Sequence, residues 1–327
     1  MIIESQKNYN HQEAEQIFFR PTFCGKSIED LGVRVVYNLP MPTLAYMFSH
    51  PDSILKTFSA GWQGGPGSIK EQVKINMSKV KAEMAYSAEE YFNTVLELVT
   101  NSADVNLGDL TGTELEKAET ELFRRALAES IYATMWLGDE AGVIAGLTTF
   151  NGFIQCICDI FDDYGTSSAV RIEDLDNCMP PVEYFSTTWR NAKPALRALA
   201  SEGQLAYYVT SDLYDAYQYA LDNQEGGMGY YDMQNGRPQL YYHGIPIIEV
   251  PVAKYDPQRC KTFCILTDRR NLVLAINTKD APENEVRMWY NPDEMENRQR
   301  AVFLAGTAVV DQDLVSAIIY HAGGDFS

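Results

Sequence analysis

The sequence predicts an α+β fold. Three observations carry the prediction: two runs of alternating apolar residues between 73 and 86, one uninterrupted helical pattern from Thr113 to Gly138, and a mixture of short helices and apolar strand segments from about Pro181 onward.

The first ~35 residues, through "FFRPTFCGKSIEDLG", show no sustained period and read as an extended arm. Gly61, Gly64, Gly65 and Gly67 then suggest a phosphate loop, but the GxxxxGK[ST] order is absent and no strand leads into them. Val73, Ile75 and Met77 alternate with Lys74, Asn76 and Ser78, and Val80, Ala82, Met84 and Tyr86 alternate again beyond. These two period-two runs, with a one-residue change of phase, predict a long β-ribbon. Such a ribbon has too little apolar surface to stand alone and must lie on something else.

Two capping boxes follow. Ser87-Ala-Glu-Glu90 opens a helix with Tyr91, Phe92, Val95, Leu96 and Val99 on one side. Thr113-Glu-Leu-Glu116 opens the strongest helical signal, free of proline and predicted over 113–137, roughly 35 Å long at 1.5 Å per residue. Leu115, Ala118, Leu122 and Ala126 make one apolar row, and Phe123, Leu127, Ile131 and Met135 another. Its glutamates crowd the first turns, where the helix dipole favours them.

Beyond Pro181, "EYFSTTWRNAKPALRALASEG" is a helix pair or a helix kinked at Pro194; "LAYYVT" (205–210) is a buried strand; "SDLYDAYQYALDN" is a helix with Leu213, Ala216, Tyr217, Ala220 and Leu221 inward. Asn235-Gly236 is a turn of hairpin type. "LYYHGIPIIEVP" (240–251) is rich in β-formers, yet Gly-Ile-Pro sits in its middle, and proline has no N–H for a ladder, so it is no ordinary central strand. "TFCILT" and "NLVLAIN" flank "DRR" as another hairpin, and "RAVFLAGTAVVDQDLVSAIIYH" closes the chain as one or two long strands.

Composition bounds the function. The chain has 327 residues, 46 % of them hydrophobic, which is globular and long enough for one large domain or two ordinary ones. No run of ~18 apolar residues occurs and the start is polar, so neither a membrane span nor a signal peptide is expected, and the protein is expected in the cytosol when made. Asp and Glu number 45 against 26 Lys and Arg, a net charge of -19, which opposes wrapping by nucleic acid and repels any DNA held nearby.

No chemical motif stands above its structural reading. The cysteines (Cys24, Cys156, Cys158, Cys178, Cys260, Cys264) form no CxxC pair, and no histidine lies close in sequence to Cys260 and Cys264, so buried reduced thiols are expected. His11, His50, His243 and His321 sit in unrelated settings and no GxSxG is present; His243 reads as structural. Asp159, Asp162 and Asp163 in "DIFDDYG" lack the alternating oxygens of a cation loop and read as a solvated turn. The tyrosines are not interleaved with Lys and Arg as single-strand binding requires, and they suit protein contacts. The expected catalytic, cofactor and metal residues are therefore none.

The order of elements resembles the major capsid protein of tailed bacteriophages, the Hong Kong 97 phage fold, across essentially the whole chain. "VKAEMAYSAEEYFNTVLELV" looks like that family's extended loop (E-loop) passing into the peripheral domain, and "GTELEKAETELFRRALAESIYATMWLGD" looks like its spine helix. "YYVTSDLYDAYQYAL", "LYYHGIPIIEVP" and "CILTDRRNLVLAIN" are similar to strands and a helix of the axial domain, and "RAVFLAGTAVVDQDLVSAIIYH" to the closing strands. The resemblance implies an arm at 1–56, an E-loop at 57–85, a peripheral domain at 86–181 with spine helix 113–137, an axial α/β domain at 182–300, and closing strands at 301–327 returning to the peripheral domain. Gly244 and Pro246 would bend an axial-domain strand, as bulges and prolines blunt a sheet edge.

That resemblance implies no enzyme and no cofactor, but a structural protein that self-assembles through pentamers and hexamers into an icosahedral shell around double-stranded DNA, without sequence-specific binding. It implies assembly in the bacterial host cytoplasm, a portal and, since only ~50 residues precede the loop, a separate scaffold protein. Some members crosslink through Lys–Asn isopeptide bonds; Lys70, Lys74, Lys79 and Lys81 are ordinary lysines for an exposed ribbon and imply no crosslink. Two alternatives remain open: an encapsulin-type nanocompartment of the same fold with an enzyme cargo, and a soluble acidic α/β enzyme with a dispersed site.

Overall fold

The computed structural model describes residues 7–8, 28, 31–37, 43–49, 69–87, 114–165, 168–174, 179–222, 239–252, 255, 260–277 and 286–321. Among them the strands are β1 (Lys7–Asn8), β2 (Arg34–Tyr37), β3 (Thr43–Ser49), β4 (Ile69–Ile75), β5 (Ser78–Ser87), β6 (Val170–Asp174), β7 (Leu205–Thr210), β8 (Tyr241–Tyr242), β9 (Ile245–Val250), β10 (Cys260–Asp268), β11 (Leu272–Asn277), β12 (Val286–Asn291), β13 (Glu296–Val309) and β14 (Val315–His321). The α-helices are α1 (Glu114–Leu137), α2 (Phe153–Tyr164), α3 (Pro181–Asn191), α4 (Pro194–Ala198) and α5 (Ser211–Asp222). The helix expected from Ser87 and the turn expected at Asn235-Gly236 lie outside the described residues.

Two six-stranded sheets organise the chain. In the first, the 14-residue β13 is the beam. Along one edge it pairs with β12 over residues 296–301 and with β11 over 304–309; β5 runs antiparallel along the other edge over 296–305. β2 adds in parallel to β11, and β1 pairs with β12. The second sheet has the order β6-β14-β10-β7-β9-β8.

One core lies under both sheets. Helix α1 brings Phe123, Leu127, Ile131 and Met135 down onto it, together with Trp136. Trp136 is fully buried, 5.4 Å from the Tyr208 ring of β7 and 5.9 Å from Phe263 of β10. At the other end of the helix, Thr120 Oγ1 donates to Met288 Sδ of β12 at 3.6 Å, so α1 spans the seam between the sheets. Of the other expected apolar row, the described members face out: Leu122 is 51 % exposed and Ala126 is exposed beside it. Successive helical residues turn by about 100°, so two adjacent rows cannot both meet one surface. The far face of the second sheet carries its own core, in which Tyr184 and Phe185 of α3 and Leu213, Tyr214 and Tyr217 of α5 cover Tyr207, Val209, Cys264 and Leu266. Pro181 and Pro194 both occupy first helical turns, so the segment around Pro194 is a broken pair of helices.

Three sequence readings need correction. The period-two runs at 73–77 and 80–86 do not pair with each other. β4 pairs with β3 as a separate two-stranded ribbon, Thr43 opposite Ile75 and Ser49 opposite Ile69, whereas β5 belongs to the first sheet. The break at Asn76-Met77 is thus the exit point of the ribbon, and the partner strand comes from 43–49, inside the stretch read as arm. Next, "TFCILT" and "NLVLAIN" are not a hairpin. β10 ends in the second sheet, the 3-10 turn Arg269–Asn271 rotates the chain, and β11 continues in the first. Finally, "LYYHGIPIIEVP" does not bend but reverses. His243 and Gly244 both adopt positive φ, 51° and 77°, forming a two-residue turn that pairs Tyr242 with Ile245. Ile247 N–H donates to Leu240 O at 2.9 Å, so the alternation turns residue 246 away from β8, and the missing N–H of Pro246 costs that ladder nothing.

The closing segment repeats the crossover in the opposite direction. β13 lies in the first sheet, the 3-10 turn Gln312–Leu314 follows, and β14 joins the second sheet between β6 and β10. Residues 301–321 therefore divide between the two sheets.

Candidate assembly surfaces

Among the described residues, no group of three or more His, Cys, Asp or Glu is placed to hold a metal. His243 stacks on Trp189 of α3, with ring centroids 6.2 Å apart and planes at 15°, and meets Tyr242 edge-on at 4.4 Å. Asp159, Asp162 and Asp163 lie on α2 rather than in a turn, because their i, i+3, i+4 spacing follows the helix. Partial burial, then the negative charges of Asp162, Asp163 and Asp139, raise the Asp159 carboxyl, against a hydrogen bond from Gln155. The strand register sets Cys260 opposite His321, a neighbour that their separation in sequence conceals. Cys264 is fully buried and its thiol is pushed up to about 12 by burial, with Thr188 Oγ1 donating to its sulfur at 3.6 Å.

What remains are surfaces, and three are built by identifiable residues. The first is the base of the ribbon. Ile75 and Met77, 3 % and 7 % exposed, pack with Val273, Ala275, Leu304 and Ala308 on the face of the first sheet opposite α1. Between Leu304 and Ala308 stands Gly306, paired with Ala275 across the ladder. A Cβ on Gly306 would stand 2.0 Å from the carbonyl oxygen of Asn76 and 3.1 Å from Met77 Cα, so the ribbon's exit corner rests on bare backbone.

The second is a groove of about 330 Å³ between α1 and β5. Val80, Ala82 and Met84 line its strand side, and Ala126, Ser130 and Thr134 its helix side. The β5 edge that faces away from β13 has no strand neighbour among the described residues.

The third is the hairpin tip of the second sheet. Tyr219 of α5 is 71 % exposed and Tyr241 of β8 is 55 % exposed, while Tyr242 stacks on Phe185 at 5.4 Å and fastens the tip to the core. Exposed tyrosines over a rigid aromatic base suit protein contacts, since the ring offers apolar area and the hydroxyl stays wet. The sequence reading of "YDAYQYAL" as both core and interface divides accordingly: Tyr214 and Tyr217 are buried and Tyr219 is out.

Scans against protein-family models and against curated protein sequences return no match. Solved structures do match. A chain from the satellite phage P4 procapsid including size determination (Sid) protein gives a TM-score of 0.61 at 13 % identity, over 97 % of this chain and 91 % of that one. A chain from the capsid of the native GTA particle computed with C5 symmetry gives a TM-score of 0.50, also at 13 % identity, over 93 % of each. The likeness spans nearly the whole chain with little sequence in common, and the fold is that of phage capsid proteins.

Proposed function

We propose that this chain is a major capsid subunit, a structural protein and not an enzyme, that assembles through pentamers and hexamers into an icosahedral shell enclosing double-stranded phage DNA. The observation that carries the reading is the shared fold with the P4 procapsid chain over 97 % of the sequence. The net charge of -19 supports it, because an acidic lining repels packaged DNA and leaves it free to move.

In this reading the ribbon is the extended loop that lies over a neighbouring subunit, and it includes 43–49 because β3 is its second strand. Residues 86–181, with α1 as spine, belong to the peripheral domain together with the first-sheet strands β11, β12 and β13; the remainder of 182–300, joined by β14, belongs to the axial domain, with the β8–β9 hairpin at the ring centre. The described stretches of the arm, Lys7–Asn8 and Arg34–Tyr37, pair within this chain's own first sheet rather than with a neighbour; a separate scaffold protein guides closure, and a portal fills one vertex in the host cytoplasm. Many weak contacts then sum to a stable shell through multivalency.

Negative-stain microscopy of the purified protein with light scattering tests this. Closed shells of tens of nanometres, or uniform pentamers and hexamers, are expected, with nuclease-protected DNA in shells taken from infected cells. An enzyme cargo in place of DNA would assign the nanocompartment instead. A monomer or dimer that persists on co-expression with neighbouring genes would exclude a shell.

A further inference from the structure

We propose that Gly306 is a positioning residue for the ribbon, fixing the direction in which β3 and β4 leave the first sheet. Its bearing on assembly rests on the shell reading above; its bearing on ribbon position does not.

The ribbon has no third strand among the described residues, and its base is held where Thr43 pairs with Ile75. Immediately beyond that pair the chain passes through Asn76 and Met77 into β5 and becomes part of the sheet. Two buried side chains, Ile75 and Met77, grip the sheet on either side of the corner, and the backbone between them settles onto Gly306. Ala275, fully buried and paired with Gly306, keeps the floor of the seat low on the adjoining strand.

The obstacle to any side chain at 306 is the Asn76 carbonyl, 2.0 Å from the Cβ position. That is backbone, with no rotamer to move aside. Reaching ordinary contact requires the corner to lift by about 1.5 Å, which Ile75 and Met77 resist by staying buried. The seven residues of β4 span about 23 Å. A tilt of about 10° at the corner therefore carries the ribbon's far end about 4 Å, enough to break the register of a contact with a second subunit. A glycine in the interior of a long strand costs stability relative to alanine, and here the close approach of another backbone accounts for it.

The test compares wild type, Gly306→Ala and Met77→Ala as full chains at matched assembly state, by amide hydrogen exchange and by microscopy. In Gly306→Ala, exchange at 43–49 and 69–75 is expected to quicken at least tenfold, while amides at 205–210 in the second sheet stay within twofold. Shells are expected to be lost or irregular. Met77→Ala, which introduces no clash, is expected to quicken the ribbon amides alone and to a smaller degree; it decides the matter should Gly306→Ala not fold. Ribbon exchange within twofold of wild type in the folded variant overturns the proposal, as do shells of unchanged diameter and regularity. Should the wild type form no shells at all, the shell reading fails by itself and the exchange data still decide the role of Gly306.

Discussion

The Asn271 side chain and the Asp311 backbone exchange two hydrogen bonds: Asn271 Nδ2 donates to the Asp311 carbonyl at 2.8 Å, and the Asp311 N–H donates to Asn271 Oδ1 at 2.7 Å. Asn271 closes the turn by which the chain leaves the second sheet for the first, and Asp311 opens the turn by which it returns. Asn271 Nδ2 also reaches Thr267 Oγ1 at 3.2 Å, and that hydroxyl donates to the Leu314 carbonyl at 2.8 Å. One buried amide thus clasps both crossovers.

Asn271→Ala removes both bonds and leaves the Asp311 N–H unpaired, while the Asp311 carbonyl keeps only the longer bond from Leu314 N–H at 3.3 Å, in a site where Asn271 itself is 4 % exposed. A loss of about 2–3 kcal/mol is expected. Asn271→Asp is expected to cost at least as much, because a carboxylate oxygen would face the Asp311 carbonyl. Urea denaturation measures both; a loss below about 0.5 kcal/mol for the alanine variant would mean that the clasp is redundant.

Acid stability follows from Asp268. Burial alone would raise its carboxyl, but Arg270 outweighs it: the side chain donates at 2.6 and 3.0 Å, the Arg270 N–H donates at 2.8 Å, and the guanidinium charge adds to these, holding the group below the ordinary carboxylate range. A lowered folded-state value contributes stability that is present above the unfolded value near pH 4 and is lost as pH falls through the folded one. Asp268→Asn is therefore expected to cost about 1–2 kcal/mol at pH 7, with the gap to wild type shrinking below about pH 4. Denaturation midpoints at pH 7, 5 and 3 check this, and a gap constant down to pH 3 contradicts it.

The tight turn at the second sheet's tip holds both of its residues at positive φ, and the two meet that demand differently. At φ 77°, Gly244→Ala is expected to destabilise by about 1 kcal/mol. At φ 51°, His243→Asn gains turn preference but loses the stack on Trp189, and the net change is expected within about 0.5 kcal/mol. Thermal unfolding of the two variants tests the asymmetry; equal losses would place the turn's requirement elsewhere.

Thiol chemistry provides a probe of the cores. Burial pushes the Cys264 thiol up to about 12 and the Cys156 thiol up to about 11. Both should resist iodoacetamide at pH 8 in the folded protein by about 100-fold relative to the denatured chain. Peptide mass spectrometry after timed labelling reads each site separately, and rapid modification of Cys264 in folded protein would show that the second core opens.

Local pattern made some of this architecture legible. The helix from Thr113, the fully buried strand 205–210 and the break at Pro194 are encoded within their own segments, by period, by continuous apolarity and by a proline that fits only a first turn. Pairing partners are encoded elsewhere. The hairpin expected at "DRR" failed because Asp268 caps a 3-10 turn there, and a three-residue turn that changes sheets has the same composition as one that reverses a strand. The ribbon's second strand lay unmarked in 43–49 because nothing near 73–77 announces a partner so far back in the sequence. The candidate surfaces were less legible still. Gly306 reads as an ordinary small residue in "FLAGTAVV" until Asn76 is seen against it, and Leu122 reads as core until the helix is set on its sheets.

The placement of β13 and β14 also sets a timetable for synthesis. β13 is the beam of the first sheet and β14 lies between β6 and β10 in the second, yet both are among the last segments described. Neither sheet can close until residues 296–321 have left the ribosome, so β5, β6 and β10 must wait, unpaired on at least one edge, for partners made later. Such long-range pairing is slow to form and exposes strand edges meanwhile. Delay at the ribosome's exit thus becomes a period of vulnerability to mispairing that the finished fold no longer displays.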